Sequence, residues 1–178
     1  NAWLERQEKL AGTGHRVLAL ATRPMNGAES IQEEDMEDLT LLGLVGIIDP
    51  PREEAVDAIK KCQDAGIRVK MVTGDHALTA GSIGKSMGIG DGEHVLTGRD
   101  LENMDQEEMV RQVNQYDVFA RSSPEHKLHM IQALQSKAQI VAMTGDGVND
   151  APALKRADVG VSMGIKGSEA AKEASEMV

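Results

Sequence analysis

Met143-Thr144-Gly145-Asp146-Gly147-Val148-Asn149-Asp150 is the stretch on which the fold turns. Ahead of it, Ile140-Val141-Ala142 is an unbroken apolar, β-favouring run that suits a strand buried on both faces of a parallel sheet. Behind it, Ala151-Pro152-Ala153-Leu154 can turn helical. The polar cluster therefore sits where a strand ends and a helix begins. In open α/β sheets that carboxyl end is where ligands bind, and glycines there let backbone N–H groups approach an anion. Yet Asp146 and Asp150 in the same loop would repel a bare phosphate. A divalent cation removes the conflict, because Mg²⁺ takes one or two carboxylates together with phosphate oxygens, and the loop then reads as a magnesium-phosphate site. Gly-Asp-Gly is also good turn chemistry, and a purely structural loop is the alternative. An EF-hand calcium loop does not fit: counted from Asp146, Val148 falls on a ligand position, Ala151 replaces the glycine and Ala157 the closing glutamate.

The chain has 178 residues, room for one domain or for one domain plus part of another. A formal net charge of −10 and the lack of any Lys/Arg-rich run argue against nucleic-acid or anionic-membrane surfaces. Cys62 is the single cysteine, which excludes an internal disulfide framework and fits a reducing compartment. No apolar run approaches the ~18–20 residues of a membrane span, and the start does not read as a signal peptide, so a soluble chain is expected. Aromatics are confined to Trp3, Tyr116 and Phe119, which leaves the core to aliphatic and Met side chains and disfavours base stacking.

The spacing predicts a helix over Ala2 to Ala11, ended by Gly12-Thr13-Gly14, and a strand over Val17 to Ala21. Asn26 to Asp38 is acidic and polar and reads as a solvated loop; Leu41 to Ile48 reads as a second strand. Two strands and one helix make a marginal unit, so this front third is expected to be a partial α+β segment, the tail of a domain that begins outside the chain. Asp49-Pro50-Pro51-Arg52 follows as a stiff connector suited to a domain boundary, or else as an ordinary helix stop. From Pro51 the alternation is regular. Helices are predicted over Pro51 to Ala65, His76 to Met87, Asp105 to Gln115, Pro124 to Lys137, from about Ala151 and from about Ser168. Strands are predicted at Ile67 to Val72, Asp117 to Ala120, Ile140 to Ala142 and Asp158 to Ser162, with a polar excursion around Gly90-Asp91-Gly92. Strands alternating with helices imply a Rossmann-like parallel sheet flanked by helices.

Parallel strands bring their C-terminal turns to one edge. Thr73-Gly74-Asp75 lies at such a turn and repeats the pattern of Thr144-Gly145-Asp146, so Thr73, Gly74 and Asp75 can converge with Asp146, Asn149 and Asp150. Lys127, near the start of a helix after a third strand, is either solvated or a compact positive charge for a transferring phosphoryl group. The histidines at 15, 76, 94, 126 and 129 are scattered and predict no zinc site.

Together these residues resemble the P-type cation-transporting ATPases, members of the haloacid-dehalogenase-like superfamily that pump ions through an aspartyl-phosphate intermediate. The likeness covers essentially the whole chain. It rests on Arg16 in Arg16-Val17-Leu18-Ala19-Leu20-Ala21, on Asp49-Pro50-Pro51-Arg52, on Thr73-Gly74-Asp75, on Lys127 after Pro124, and on Thr144 to Pro152. The Asp-Pro-Pro-Arg form looks like the type II branch. The resemblance implies residues 1–48 as the C-terminal part of a nucleotide-binding domain and 49–178 as a phosphorylation domain. It makes Asp146 the protein ligand of Mg²⁺ and puts Thr73, Gly74, Lys127 and Asn149 on the phosphoryl group. Asp150 would orient Lys127 and Asp75 would support the site, while Arg16, Asp49, Arg52 and Arg121 would bind or steer ATP. The family nucleophile, the aspartate of Asp-Lys-Thr-Gly-Thr, has no counterpart in the sequence. The expectation is therefore a cytoplasmic piece of a pump, lacking its nucleophile strand and inactive alone. Its partners would be ATP and the rest of the pump, whose membrane part would hold the cation. The competing readings are a non-catalytic Mg²⁺ or nucleotide-binding module and a soluble phosphatase of the same superfamily.

Overall fold

The computed structural model describes residues 2–24, 30 and 32–178. Part of the acidic loop expected over Asn26 to Asp38 lies outside the described residues; its end carries a short 3₁₀ turn, Glu33–Met36.

The front segment consists of α1 (Ala2–Ala11), β1 (Arg16–Thr22) and β2 (Thr40–Ile47). The two strands pair antiparallel, Arg16 opposite Ile47 and Thr22 opposite Thr40, with a bulge between Leu20 and Ala21. Helix α1 packs against this ribbon, but Leu18, Leu20, Leu42 and Ile47 stay about half exposed or more, so the segment buries little of its apolar surface. Thr79 Oγ1 donates to the His15 carbonyl at 3.1 Å and ties the segment to the following α/β part. Between the two, residues 48–52 hold no regular structure, as two consecutive prolines dictate.

The second part alternates helix and strand. Helix α2 (Glu53–Asp64) precedes β3 (Met71–Val72) and α3 (Ala77–Ser86). Strand β4 (Val95–Thr97) runs directly into α4 (Gly98–Glu102), followed by α5 (Gln106–Gln115), β5 (Val118–Ala120) and α6 (Pro124–Gln135). Last come β6 (Ala142–Gly145), α7 (Ala151–Arg156), β7 (Val159–Ser162) and α8 (Glu169–Glu173). All ladders in this part are parallel, in the orders β3-β5-β4 and β6-β7. The expected α/β architecture with helices against parallel strands is what the chain adopts.

Strand β5 is the middle of the first sheet, and Val118, Phe119 and Ala120 are fully buried because strands flank both its edges and helices cover its faces. Phe119 joins Leu96, Leu101, Val113, Met130 and Leu134 in the main core, where aliphatic and Met side chains do most of the filling. Val72 and Val141 both pack against this cluster. The segments leading through β3 and into β6 therefore share one core, although β3 and β6 belong to different hydrogen-bonded sheets.

Two sequence expectations are corrected. The strand expected over Ile67 to Val72 is only Met71–Val72, because Arg68 and Lys70 turn their side chains to Asp117 and to the carbonyls that end α5. The apolar run at 140 is not buried on both faces: β6 begins at Ala142, Ile140 is 82% exposed, and Ala142 and Thr144 are open to solvent. Among the described residues, strands β3 and β6 each have one hydrogen-bonded neighbour, so each leaves an unpaired edge. Strand β4 and helix α4 follow the polar excursion around Gly90-Asp91-Gly92, in a stretch where the sequence predicts no element.

Candidate functional site at the strand ends

Strand β6 stops at Gly145, and Val148–Asp150 forms a 3₁₀ turn that leads into α7. The turn draws Asp150 inward to 8% exposure. One carboxylate oxygen, Oδ1, accepts from Lys127 Nζ at 2.6 Å; the other, Oδ2, accepts from the Gly147 N–H at 3.2 Å. Burial pushes the Asp150 carboxyl up, but the Lys127 ammonium and the amides of Gly147 and Asp146 outweigh it and hold the group below the ordinary aspartate range. Gly145 is required here by close approach: a Cβ on it would lie 2.7 Å from the Asp150 Cβ and 2.9 Å from its Cγ.

Lys127 stands in the first turn of α6, where the helix dipole disfavours a cation. Two features hold it there. Ser123 caps the helix reciprocally with His126, the Ser123 hydroxyl accepting from the His126 N–H and His126 Nδ1 accepting from the Ser123 N–H. Pro124 occupies the first helical turn without loss of a needed donor. The stem of Lys127 is then directed to Asp150, leaving side-chain exposures of 20% and 12% for the pair.

Thr73-Gly74-Asp75 leaves β3 as a tight turn closed on itself. Thr73 Oγ1 donates to Asp75 Oδ2 and accepts from the Asp75 N–H, both at 3.1 Å. The loop from β5 to α6 is clamped onto it: the Arg121 N–H donates to the Asp75 carbonyl at 3.0 Å and the Ser122 N–H to the Thr73 carbonyl at 3.1 Å. This clamp needs Arg121 at a φ of +52°, strained for a side-chain-bearing residue. Gly98 lets the Arg121 carbonyl pass, since a Cβ there would sit 2.2 Å from that oxygen.

A continuous chain of contacts thus joins Thr73 to the 121–127 segment and Lys127 to Asp150. The three sequence-distant segments meet at the strand ends. Asp146 and Asn149 lie exposed in the same loop, and the Asp146 side chain has no hydrogen-bond or ion-pair partner among the described residues, while its carbonyl accepts from Ser168 at the cap of α8. Gly74 is exposed with nothing within 4 Å of a built Cβ, leaving open space over its backbone. Arg16, Asp49 and Arg52 are different. Arg16 opens β1, Asp49 and Arg52 lie on the connector, and all three are exposed, with no side-chain bond to the Thr73–Lys127–Asp150 group among the described residues. Arg121 adjoins Asp75 through its backbone, with an exposed side chain.

Sequence reasoning missed Gly98, Ser122 and His126 as parts of the frame. Ser123-Pro124-Glu125-His126 carries a capping signal, but with His in place of the usual Glu or Gln it is easily overlooked. Nothing in the sequence marks the Ser122 hydroxyl oxygen, which is buried beside Thr73 without a hydrogen-bond partner among the described residues.

A fixed lysine, a buried carboxylate that orients it, a free carboxylate and open backbone at a glycine can together hold a metal-bound anion. Residues 3–158 match the family model described as haloacid dehalogenase-like hydrolase. The chain belongs to that family. Its relatives include a calcium-transporting ATPase of Bacillus subtilis, 52% identical over 171 residues, 95% of this chain and 19% of the relative. A cation-transporting ATPase of Synechocystis is 51% identical over 179 residues, 98% of this chain and 20% of the relative. Human calcium-transporting ATPase type 2C member 2 is 44% identical over 176 residues, 98% of this chain and 18% of the relative. The haloacid dehalogenase-like chain spans about a fifth of the length of these curated relatives. Among its described residues, no helix is long and apolar enough to cross a membrane.

Proposed function

We propose that the chain is the phosphate-handling part of a P-type cation-transporting ATPase of the type II kind, working through an aspartyl-phosphate intermediate in the cytoplasmic portion of a membrane pump. The observation that carries this reading is the Lys127–Asp150 pair at 2.6 Å, held on the same frame as the Thr73 turn. Residues 1–48 belong with nucleotide binding and 49–178 with phosphorylation. The antiparallel front ribbon and the irregular connector at 48–52 support that division.

Asp146 would hold Mg²⁺. The fit rests on its unpartnered, exposed carboxylate and on Mg²⁺ taking few protein ligands beside phosphate and water; the described residues contain no cage of three or more His, Cys, Asp or Glu side chains. When bound, Mg²⁺ supplies charge neutralisation at phosphate oxygens. The protein's own part is positioning. Asp150 aims the Lys127 ammonium, Asp75 holds the Thr73 hydroxyl, and Gly74 and Asn149 offer donors to the phosphoryl group. Exposed Arg16, Asp49, Arg52 and Arg121 would steer ATP. The nucleophile would come from an added strand, for which β3 and β6 each leave one edge unpaired among the described residues while Val72 and Val141 pack on one core. The transported cation and the remainder of the pump are its further partners.

Strand complementation tests this reading. The chain is mixed with Mg²⁺, acetyl phosphate and a peptide of apolar residues ending in Asp-Lys-Thr-Gly-Thr. A hydroxylamine-labile phosphate should form on the peptide aspartate and disappear with Lys127→Ala or Asp146→Asn. Binding of Mg²⁺ and phosphate analogues without any label on a bound peptide would favour a non-catalytic module; hydrolysis of small phosphate esters by the chain alone would favour a soluble phosphatase.

A further inference from the structure

Helix α6 carries Lys127 into the site, and its first turn is fastened in a way that depends on one proton. Three positions after the capping Ser123, where a Glu or Gln ordinarily completes the reciprocal cap, stands His126. A side-chain carbonyl oxygen accepts an N–H at any pH, whereas an imidazole nitrogen accepts only while it carries no proton. His126 Nδ1 accepts from the Ser123 N–H at 3.1 Å, so the ring is neutral and its proton lies on Nε2. The ring is 7% exposed and closely fitted: a Cβ on Gly98 would lie 3.1 Å from its Cε1. Ser123 is also the joint between the two halves of the site. Its carbonyl accepts from the Lys127 N–H at 3.3 Å, its hydroxyl from the His126 N–H at 3.3 Å, and the preceding Ser122 N–H donates to the Thr73 carbonyl at 3.1 Å.

We propose that His126 is a protonation-dependent positioning residue for Lys127: the neutral ring locks the start of α6 with Lys127 on Asp150, and the imidazolium unlocks it. A second ring proton sits on Nδ1 and meets the Ser123 N–H donor against donor. The ring must then leave, the Ser123 N–H loses its acceptor, and the first turn of α6, which carries Lys127, loosens. Histidine is the side chain that ordinarily changes charge between about pH 5 and 8, and this window is where the lock works. Glu102 of α4, Asp105 at the start of α5, and Glu125 and His129 of α6 line the same groove as the ring, all of them exposed. Asp100 of α4 is engaged with Thr97, and Arg99 and Arg121, which flank the Gly98 contact, are exposed. Towards α7, α6 presents Lys127 to Asp150, whose carboxyl is held below the ordinary aspartate range and so stays ionised through the window. Of these groups only His129 shares the chemistry, and it makes no bond to Ser123 among the described residues. The inference concerns the geometry of the Lys127–Asp150 pair, and its test stands whether or not that pair handles phosphate.

NMR of the full chain, with histidine ring nitrogens and carboxyl carbons isotope-labelled, is the test. At about pH 8 the His126 ring should carry its proton on Nε2. Between about pH 8 and 5.5 the exchange protection of the Ser123 and Lys127 amides should fall by about fivefold or more, as loss of a helix cap requires. The Asp150 carboxyl signal should move with the same midpoint as the His126 ring, although Asp150 itself does not titrate there. His126→Gln offers a carbonyl oxygen to the Ser123 N–H at either pH, so its protection should change by less than ~2-fold and its Asp150 signal should stay still. His129→Gln should behave as the unaltered chain does. A ring protonated on Nδ1 at about pH 8, an Asp150 signal that does not follow the His126 midpoint, a pH-dependent protection that survives His126→Gln, or one that disappears in His129→Gln would each overturn the proposal. The first two outcomes are read on the unaltered chain and decide it even if a variant folds poorly.

Discussion

Replacing Lys127 by Met keeps the aliphatic stem and removes the charge that Asp150 faces. At 2.6 Å and an effective dielectric of ~20, the pair attracts by about 6 kcal/mol, most of which is offset by taking both ions part-way out of water. With side-chain exposures of 20% and 12%, a net loss of about 1–3 kcal/mol at pH 7 is expected. The pH dependence makes the cause identifiable. Asp150 has its carboxyl held below the ordinary value in the folded chain, so it contributes stability above its unfolded pKa of ~3.9, lost as the pH falls through the lower folded pKa. In Lys127→Met, burial acts with less opposition and the Asp150 pKa rises. The stability gap between the two proteins should therefore be full at pH 7 and narrow as the pH drops through the carboxylate range. Urea melts of both proteins at a series of pH values measure this, and a double-mutant cycle with Asp150→Asn isolates the pair. A gap that stays constant down to pH 3, or a cycle with no coupling energy, would refute the account of the pair.

Gly98→Ala should cost about 2–3 kcal/mol and loosen the clamp on Thr73, because its Cβ meets the Arg121 carbonyl at 2.2 Å and backbone cannot step aside cheaply; an unchanged thermal midpoint would contradict it. Asp117→Asn should lower stability by about 1–2 kcal/mol at neutral pH, since the carboxylate accepts from Arg68 at 2.6 Å and Lys70 at 3.0 Å. That difference should fade in acid: burial raises the Asp117 carboxyl, yet the two cations hold it below the ordinary value. Asp91→Asn should bring His94 down toward an ordinary histidine value near ~6.5, because Asp91 is what holds it up, and a proton NMR titration of the ring reads this directly.

Elements with strong local punctuation were legible in the sequence. Helix α1 occupies Ala2–Ala11 as its apolar spacing and following glycines predict, and α5 and α6 start at the caps Asp105 and Ser123. Elements decided by distant partners were not. The short β4 is a strand because β5 offers it a parallel edge, and nothing in Val95-Leu96-Thr97 announces that offer. Ile67 to Lys70 has strand-like composition, yet Asp117 claims the Arg68 and Lys70 side chains. At the site, the turns at Thr73 and Asp146 were readable from strand-end chemistry. The pairing of Lys127 with Asp150 was available only through family likeness, since the two lie 23 positions apart and the chain between them carries no pairing signal.

The unshared margins of β3 and β6 also bear on how the chain behaves in solution. A hydrogen-bonding border with no neighbour can recruit one from another molecule, and Ile140, 82% exposed, lies just ahead of one such border. At neutral pH ten excess negative charges keep copies apart. Near the isoelectric point of about 4.9 that the composition sets, that repulsion is lost and strand-to-strand addition meets no net-charge barrier.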